Sequence, residues 1–427
     1  MPYTLVSMIG TGMYKTSKNP EGYAETDYSF DGGRHFKTRL FMQALLECKY
    51  KDINQIILLG TDTSSWDCLI DKEQDDRDET VELWSDLVDQ CETREKETQP
   101  DGVTRENLDR LQAYLSDRFA VEVLILSHTH SIDNSTAAEL FACYSSIPKL
   151  CKKGNNILFD ITHGFRSMSV LLYQSLQYSL SQQTGLAVEI VYGELDILSR
   201  TTGHVRNLSS YWNYSELTAA LNIFNTKLDG FKLTELLAPY WEKGGKAIKS
   251  FSEIVQTNFA LQLTEVLKQI KNALKAYPQN APEWLIPVKH SLENIAKLED
   301  SSSVAKTLFN YSKFLYGHQM NVQAVITLQV AVESAIIEKY GNKEEYLGDY
   351  DWWRDYGKNF LKDVEKKYKE QDLKIPLQNL EHFRNQIAHG GGQNHNGNFP
   401  CAANIPSIYE SGVRGIEKLF KAIADNA

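Results

Sequence analysis

"NILFDITHGFRSMSVLLYQSL" runs from Asn156 to Leu176. Its first five residues are a short apolar run that ends on Asp160. From Arg166 onward, "RSMSVLLYQSLQYSLSQQ" places apolar residues at helical spacing. The stretch therefore predicts a strand, a tight turn and a helix. An apolar strand of this kind, separated from its neighbours by helices, belongs to a parallel sheet covered on both faces.

The same alternation continues on both sides of this stretch. Upstream, "YTLVSMI" (Tyr3 to Ile9) is a buried-strand run followed by Gly10-Thr11-Gly12, and "KTRLFMQALLECKY" has helical periodicity. "QIILLG" is a second strand that ends at Gly60-Thr61. "TRENLDRLQAYLSDRF" reads as a helix, "VEVLIL" as a third strand and "STAAELFACYSSIPKLC" as a helix. "NILFD" is the fourth strand and "AVEIVYG" the fifth. Sheets of this type bind ligands beyond the C-terminal ends of their strands. Gly10-Thr11-Gly12, Gly60-Thr61 and Asp160 to Arg166 should collect there.

From about Glu216 onward no strand is expected. "LTAALNIF", "FALQLTEVLKQIKNALKAY" and "VQAVITLQVAVESAIIEKYG" are helical by periodicity. In the last, Val325, Leu328, Val332 and Ile336 form one stripe, the usual mark of a core face. "YPQNAPEW" is a loop between helical groups. The expected division is an α/β Rossmann-like domain over 1–205, a helical middle over 206–300 and a helical domain over 301–427.

The chain has 427 residues, too many for one ordinary core, with 42% apolar and 24% charged residues. No apolar run reaches the length of a membrane span, and "MPYTLVSMIGTG" has no basic segment of a secretory signal. The six cysteines are scattered without a CxxC pair, so a reducing cytoplasm is expected. The net charge of −11 argues against a protein that coats nucleic acid non-specifically. The charge is uneven. Residues 71–101 are strongly acidic and read as a solvated excursion, whereas 301–427 hold 15 basic and 15 acidic residues.

"DITHGFRS" (Asp160 to Ser167) is dense in ligand-binding chemistry. Thr162 offers a hydroxyl, His163 an imidazole, Gly164 a close backbone approach and Arg166 a guanidinium fork, at a helix start suited to an anion. The plainer alternative is that Thr162 caps the helix and Arg166 pairs with Asp160. "GTGMYK" lacks the third glycine of a dinucleotide fingerprint, which leaves a tight turn as its alternative. "GTDTSSWD" adds Thr61, Ser64 and Trp66, the last with an aromatic face able to stack on a base or simply to pack. His128 and His130 lack an evident third ligand, so a metal is not expected. Lys362, Lys366 and Lys369 share a helical face that reads as solvated surface.

The second dense stretch is "LEHFRNQIAHGGGQ" (Leu380 to Gln393). Asn385 and His389 lie four apart on one helical face, and Arg384 reaches back toward it. Gly390, Gly391 and Gly392 end the helix just past the histidine. A cation, an amide and a titratable imidazole side by side suit phosphate chemistry, and a polar surface helix is the alternative. No metal-ligand cluster occurs in 380–393.

Together these motifs resemble a known family. "GTG" after the first strand, "LGTDTSSW" after the second and "DITHGFR" after the fourth resemble the CARF domain of CRISPR-associated proteins. "RNQIAH" is similar to the Arg-x4-His motif of HEPN ribonucleases. The resemblance covers essentially the whole chain and implies a type III CRISPR accessory ribonuclease. It implies a homodimer or higher oligomer that binds a cyclic oligoadenylate, with cyclic tetra-adenylate the expected ring, and that cleaves single-stranded RNA. It places Arg384, Asn385 and His389 in the catalytic site. Gly10, Thr11, Gly12, Gly60, Thr61, Ser64, Trp66, Thr162, His163, Gly164 and Arg166 fall in the effector site. No further cofactor, metal or membrane partner is implied. Rival readings are a ring nuclease acting in the same pocket, a non-catalytic nucleotide sensor or regulator, and a nicotinamide-dependent enzyme.

Overall fold

The computed structural model describes residues 1–10, 23–71, 75–92, 102–128, 137–164, 166–180, 186–196, 199, 201–340, 357, 359, 362, 366, 373–388 and 404–425. The chain divides into two compact units, Met1–Tyr214 and Ser215–Ala427.

The first unit is built on an eight-stranded sheet. Its strands are β1 (Tyr3–Ile9), β2 (Thr26–Ser29), β3 (His35–Thr38), β4 (Ile53–Thr61), β5 (Glu122–His128), β6 (Asn156–Asp160), β7 (Val188–Leu195) and β8 (Thr202–Asn207). The spatial order is β3-β2-β8-β7-β6-β1-β4-β5. The five strands expected from the sequence are the parallel set β7-β6-β1-β4-β5. The expectation of a purely parallel sheet is corrected at one edge. There β8 runs antiparallel to β7, and β2 and β3 form an antiparallel pair. These three strands carry many polar residues, and β3 is the outermost strand at this end of the sheet.

Alternation along the central strands produces two cores. Leu5, Ile9, Ile56, Leu58, Ile125 and Leu158 face one side. They are covered by α1 (Phe41–Glu47), α2 (Asp78–Glu92) and α3 (Arg105–Phe119). Val6, Met8, Ile57, Leu59, Ile157 and Phe159 face the other. There α4 (Ala137–Ser145), α5 (Ile147–Leu150) and α6 (Arg166–Leu180) cover them. Successive strand residues point to opposite faces, so a continuous apolar run is what two covered faces require.

The acidic segment is not only a solvated excursion. Within it α2 buries Leu83 and Leu87 in the core, and Asp86 pairs with Arg110 of α3 at 2.6 Å. Its acidic residues occupy the outer face of an amphipathic helix.

The second unit holds no strand among its described residues. Its helices are α7 (Ser209–Lys227, within which the division falls), α8 (Phe231–Thr257), α9 (Leu263–Lys275), α10 (Ile286–Ala296), α11 (Val304–Gly317), α12 (Asn321–Tyr340), α13 (Lys374–Ala388) and α14 (Ile405–Asp425). The α8 segment is bent double. Pro239 cannot donate to its preceding turn, and Trp241 leaves helical geometry at φ −154° and ψ 72°. As a result Thr234 Oγ1 donates to the Gly245 carbonyl at 3.0 Å, and the Gly230 N–H to Ser252 Oγ at 2.8 Å. Val325, Leu328, Val332 and Ile336 are core, as their spacing implies. The expected division at residue 300 has no counterpart in this core. Leu285 and Leu292 before it belong to one cluster with Leu308, Leu328, Leu380 and Leu419 after it.

The start of α11 depends on a carboxylate from α12. Glu338 Oε1 accepts from the Ala305 N–H at 3.0 Å and Oε2 from the Ser303 hydroxyl at 2.7 Å. Ser303 in turn caps the Lys306 N–H. Glu338→Ala removes both contacts and should cost about 1–2 kcal/mol. Urea unfolding of the full chain followed by helical circular dichroism measures this. An unchanged midpoint would show that solvent caps α11 equally well.

Candidate functional site

The strand order reverses at β1. Of the parallel central strands, β4 and β5 are added on one side and β6 and β7 then on the other. Loops leave β1 and β6 in opposite directions at such a point and open a crevice above their C-terminal ends. Ser7 of β1 stands opposite Asp160 of β6 in register. The turn after Asp160 therefore meets the end of β1.

Asp160 organises that turn. Its side chain is fully buried. Oδ2 accepts from the Ser7 hydroxyl at 2.7 Å, and Oδ1 accepts from the Thr162 N–H at 2.9 Å. Burial pushes the carboxyl pKa up, against the lowering effect of these hydrogen bonds. Thr162 Oγ1 accepts from the Gly193 N–H of β7 at 2.9 Å. One acid and one threonine thus tie three adjacent strands together at their ends.

Two glycines let the turn lie flat on β1. A Cβ on Gly10 would stand 2.5 Å from the His163 carbonyl oxygen, and one on Gly164 would stand 2.3 Å from Met8 Sδ. Neither approach leaves space for a side chain. Tyr23 closes the arrangement from outside the sequence motifs. Its hydroxyl donates to the Gly10 carbonyl at 2.8 Å and accepts from the Gly10 N–H at 3.0 Å. Its ring meets His163 edge to face at 5.0 Å. No periodicity or motif marks Tyr23 in the sequence.

His163 is half-buried, and its ring is already engaged. Nε2 accepts from the Phe41 N–H, at the start of α1, at 2.9 Å. Only an unprotonated nitrogen can accept there, so the proton of the neutral ring is on Nδ1. Burial lowers its pKa to about 4.

The residues after β4 do something else. Ser64 Oγ donates to the Ile9 carbonyl at 2.7 Å and accepts from the Thr61 N–H at 2.8 Å. Trp66 Nε1 donates to the Thr61 carbonyl at 2.8 Å, and its ring lies against Gly60. Thr61, Ser64 and Trp66 are each 0% exposed. Of the two readings of Trp66, stacking on a base or packing, its burial matches packing, and Ser64 is engaged with backbone. Both shape the turn from beneath, because the apolar ring and the paired hydroxyl are satisfied inside. His128 is likewise paired, with Tyr144 at 2.8 Å. Thr11 and Gly12 lie outside the described residues. Arg166 is the first residue of α6, and its side chain lies outside them too. Of the expected effector residues, the structure brings Gly10, Thr162, His163 and Gly164 together at the crevice.

In the helical unit, α13 buries Leu377, Leu380 and Phe383. Arg384 falls in helical register with Leu377 and Leu380, and it and Asn385 are half-buried, with Arg384 Nη1 donating to Asn385 Oδ1 at 2.9 Å. The helix is described to Ala388. His389 and the three glycines after it lie outside the described residues.

The His163 environment has a measurable consequence. The unfolded chain binds a proton near pH 6.5, whereas the folded imidazole resists until about 4. Stability is therefore lost as pH falls across that window. The raised Asp160 carboxyl acts in the opposite sense, losing its contribution as pH rises through its folded pKa. His163→Gln keeps an acceptor for the Phe41 N–H and leaves Asp160 in place. Urea unfolding at pH 6.5 and pH 4 should show wild type losing on the order of 2 kcal/mol more than the variant. Equal losses would mean that the imidazole titrates freely in the folded protein.

Residues 4–191 match the family model described as the CARF domain of the CRISPR system endoribonuclease Csx1. CRISPR-associated protein MJ1674 of Methanocaldococcus jannaschii is 24% identical over 336 residues, which cover 74% of this chain and 52% of the relative. The chain thus spans about half the length of the curated relative it matches. A solved structure, Enterococcus italicus Csm6 bound to cyclic hexa-2′-fluoro-hexa-dAMP, aligns with a TM-score of 0.40 at 11% identity. That alignment covers 100% of this chain and 95% of the other. Among the described residues no helix is long and apolar enough to cross a membrane. The residues that match this CARF domain model lie in the α/β unit, and a helical unit follows in the same chain.

Proposed function

We propose that this chain is a type III CRISPR accessory endoribonuclease, switched on by a cyclic oligoadenylate bound at its CARF domain. The observation that carries the reading is the Arg384–Asn385 pair, held at 2.9 Å in the last turns of α13 just before His389. A family match named for a CRISPR endoribonuclease supports it from the other end of the chain.

The chemistry is acid–base cleavage of single-stranded RNA. His389 takes the proton from a 2′-hydroxyl, whose oxygen attacks the adjacent phosphorus. The bond to the 5′-oxygen breaks, that oxygen takes a proton from the protonated imidazole of the second copy in a homodimer, and a 2′,3′-cyclic phosphate remains. Arg384 neutralises charge that builds on the phosphate oxygens. Asn385 holds the Arg384 fork in place through its side-chain carbonyl. One chain offers one such set, so a homodimer supplies two, and a two-fold effector matches a two-fold assembly. The effector acts through different affinity for the active and inactive arrangements. Its phosphates or riboses meet the crevice of Gly10, Thr162, His163 and Gly164, with Arg166 as the cation.

Arg384→Ala or His389→Ala should abolish cleavage of a labelled RNA while the circular dichroism spectrum and effector binding persist. Wild-type activity should survive EDTA, and the product should carry a 2′,3′-cyclic phosphate. Full cleavage by either pure variant, or loss on chelation, would overturn the assignment.

Arg166→Ala should leave the ribonuclease site intact but raise the effector concentration for half-maximal activation. Losing one charge-assisted phosphate contact is worth about 2 kcal/mol, or roughly thirtyfold. Cyclic tetra-adenylate is the first ring to titrate. Unchanged affinity by calorimetry would leave Arg166 a structural residue of α6.

A further inference from the structure

A cleft of about 310 Å³ opens in the helical unit where α7, α10 and the end of α11 meet. Its volume is at the small end of pockets that hold organic ligands, about 300–1,000 Å³. Its floor is apolar and buried, formed by Phe224 of α7, Leu228 just past its end and Ile295 of α10. Phe314 and His318, one turn apart, place their rings on one wall with centroids 4.2 Å apart.

The polar groups around this floor have definite roles. His318 Nδ1 lies 2.7 Å from the Phe314 carbonyl. A carbonyl only accepts, so the neutral ring carries its proton on Nδ1 and leaves Nε2 as an acceptor. Asn294 Oδ1 accepts from Lys297 Nζ at 3.1 Å, which leaves the amide NH2 as a donor. The Ser291 hydroxyl lies 2.8 Å from the Asn225 amide and occupies one end of it only. His290 has no hydrogen-bond partner among the described residues. None of the lining residues is Lys or Arg, so nothing in the lining matches a phosphate. Two imidazoles with no third ligand make no metal centre, and no metal-ligand group occurs among the described residues.

An aromatic wall for stacking, an imidazole acceptor and amide donors on the rim match a flat heterocycle with both kinds of group on its edge. We propose that this cleft binds a purine base, presented by a free nucleoside or by a single nucleic-acid strand. The inference does not depend on the ribonuclease reading, because it concerns binding at residues remote in sequence from Arg384 and His389.

The test titrates the full-length protein with adenosine, with uridine and with a short oligodeoxyadenylate, which has no 2′-hydroxyl to react. The readout is the imidazole NMR signals of His290 and His318, assigned with His290→Gln and His318→Gln. Adenosine should shift both signals, uridine should bind several-fold more weakly, and Asn294→Ala should weaken adenosine about fivefold. Asn294 is exposed, so that variant folds. Shifts with adenosine mean that a free nucleoside suffices, and shifts with the strand alone mean that the base is read within a chain. The proposal is overturned if neither ligand moves the signals at millimolar concentration. It is equally overturned if uridine matches adenosine, or if Asn294→Ala and His318→Gln bind like wild type.

Discussion

A buried carboxylate holds the α/β unit together at the point where it is most open. Asp160 has no exposed surface, yet it ends the central strand β6 beside β1. Burying a charge there is costly unless its oxygens are bonded, and the Ser7 hydroxyl and the Thr162 N–H bond one oxygen each. Those two bonds set the path of the following turn, which passes over Gly10 and Met8 and delivers the first turn of α6. Thr162 extends the link to Gly193 on β7. The Tyr23 ring and the start of α1 both meet His163 of that turn.

His163 follows from the same constraint. With Asp160 fixed, the imidazole lies against the Phe41 N–H and accepts from it. Burial disfavours the charged imidazole, and the bond from the Phe41 N–H requires an unprotonated Nε2. The ring therefore works as a neutral brace between the turn and α1. This weighs against a ring nuclease built on His163 as the proton carrier, because its Nε2 is committed to backbone. A ligand at the crevice would instead meet the edge of a preformed turn.

The sequence was most legible where one physical rule dominates. Strands buried on both faces need unbroken apolar runs, so all five parallel strands could be read from residues such as Ile56 to Leu59. The stripe through Val325 and Ile336 was equally plain. The strands beyond β7 were not legible, since "TDYS" and "TGHVRN" are short or polar and owe their state to pairing with β8 and β7. The acidic run hid α2, because two leucines among many carboxylates suffice to dock a helix. The site was legible by cluster but not by role. Nothing in "GTDTSSW" distinguishes a tryptophan that faces a ligand from one that fills the space beneath Gly60. Only the three-dimensional partner, here the Thr61 carbonyl, decides between them. Tyr23 was invisible because its contact with Gly10 is made by a hydroxyl arriving from a segment without pattern.

The helical unit poses the complementary problem. Its core is continuous from Leu217 to Ala422, so a change in one helix is felt by close-packed neighbours rather than absorbed by a linker. Arg384 lies in helical register with Leu377 and Leu380, which belong to that core, and Asn385 stands beside it. A guanidinium bonded to its neighbouring amide keeps its fork in one orientation, and the amide is fixed by the helix backbone. The geometry of the pair is then set by how α13 seats its leucines. A rotation of α13 by a few degrees would move the Arg384 fork without breaking its bond to Asn385. Control of such a site needs only a shift in helix packing, not the assembly of a new constellation.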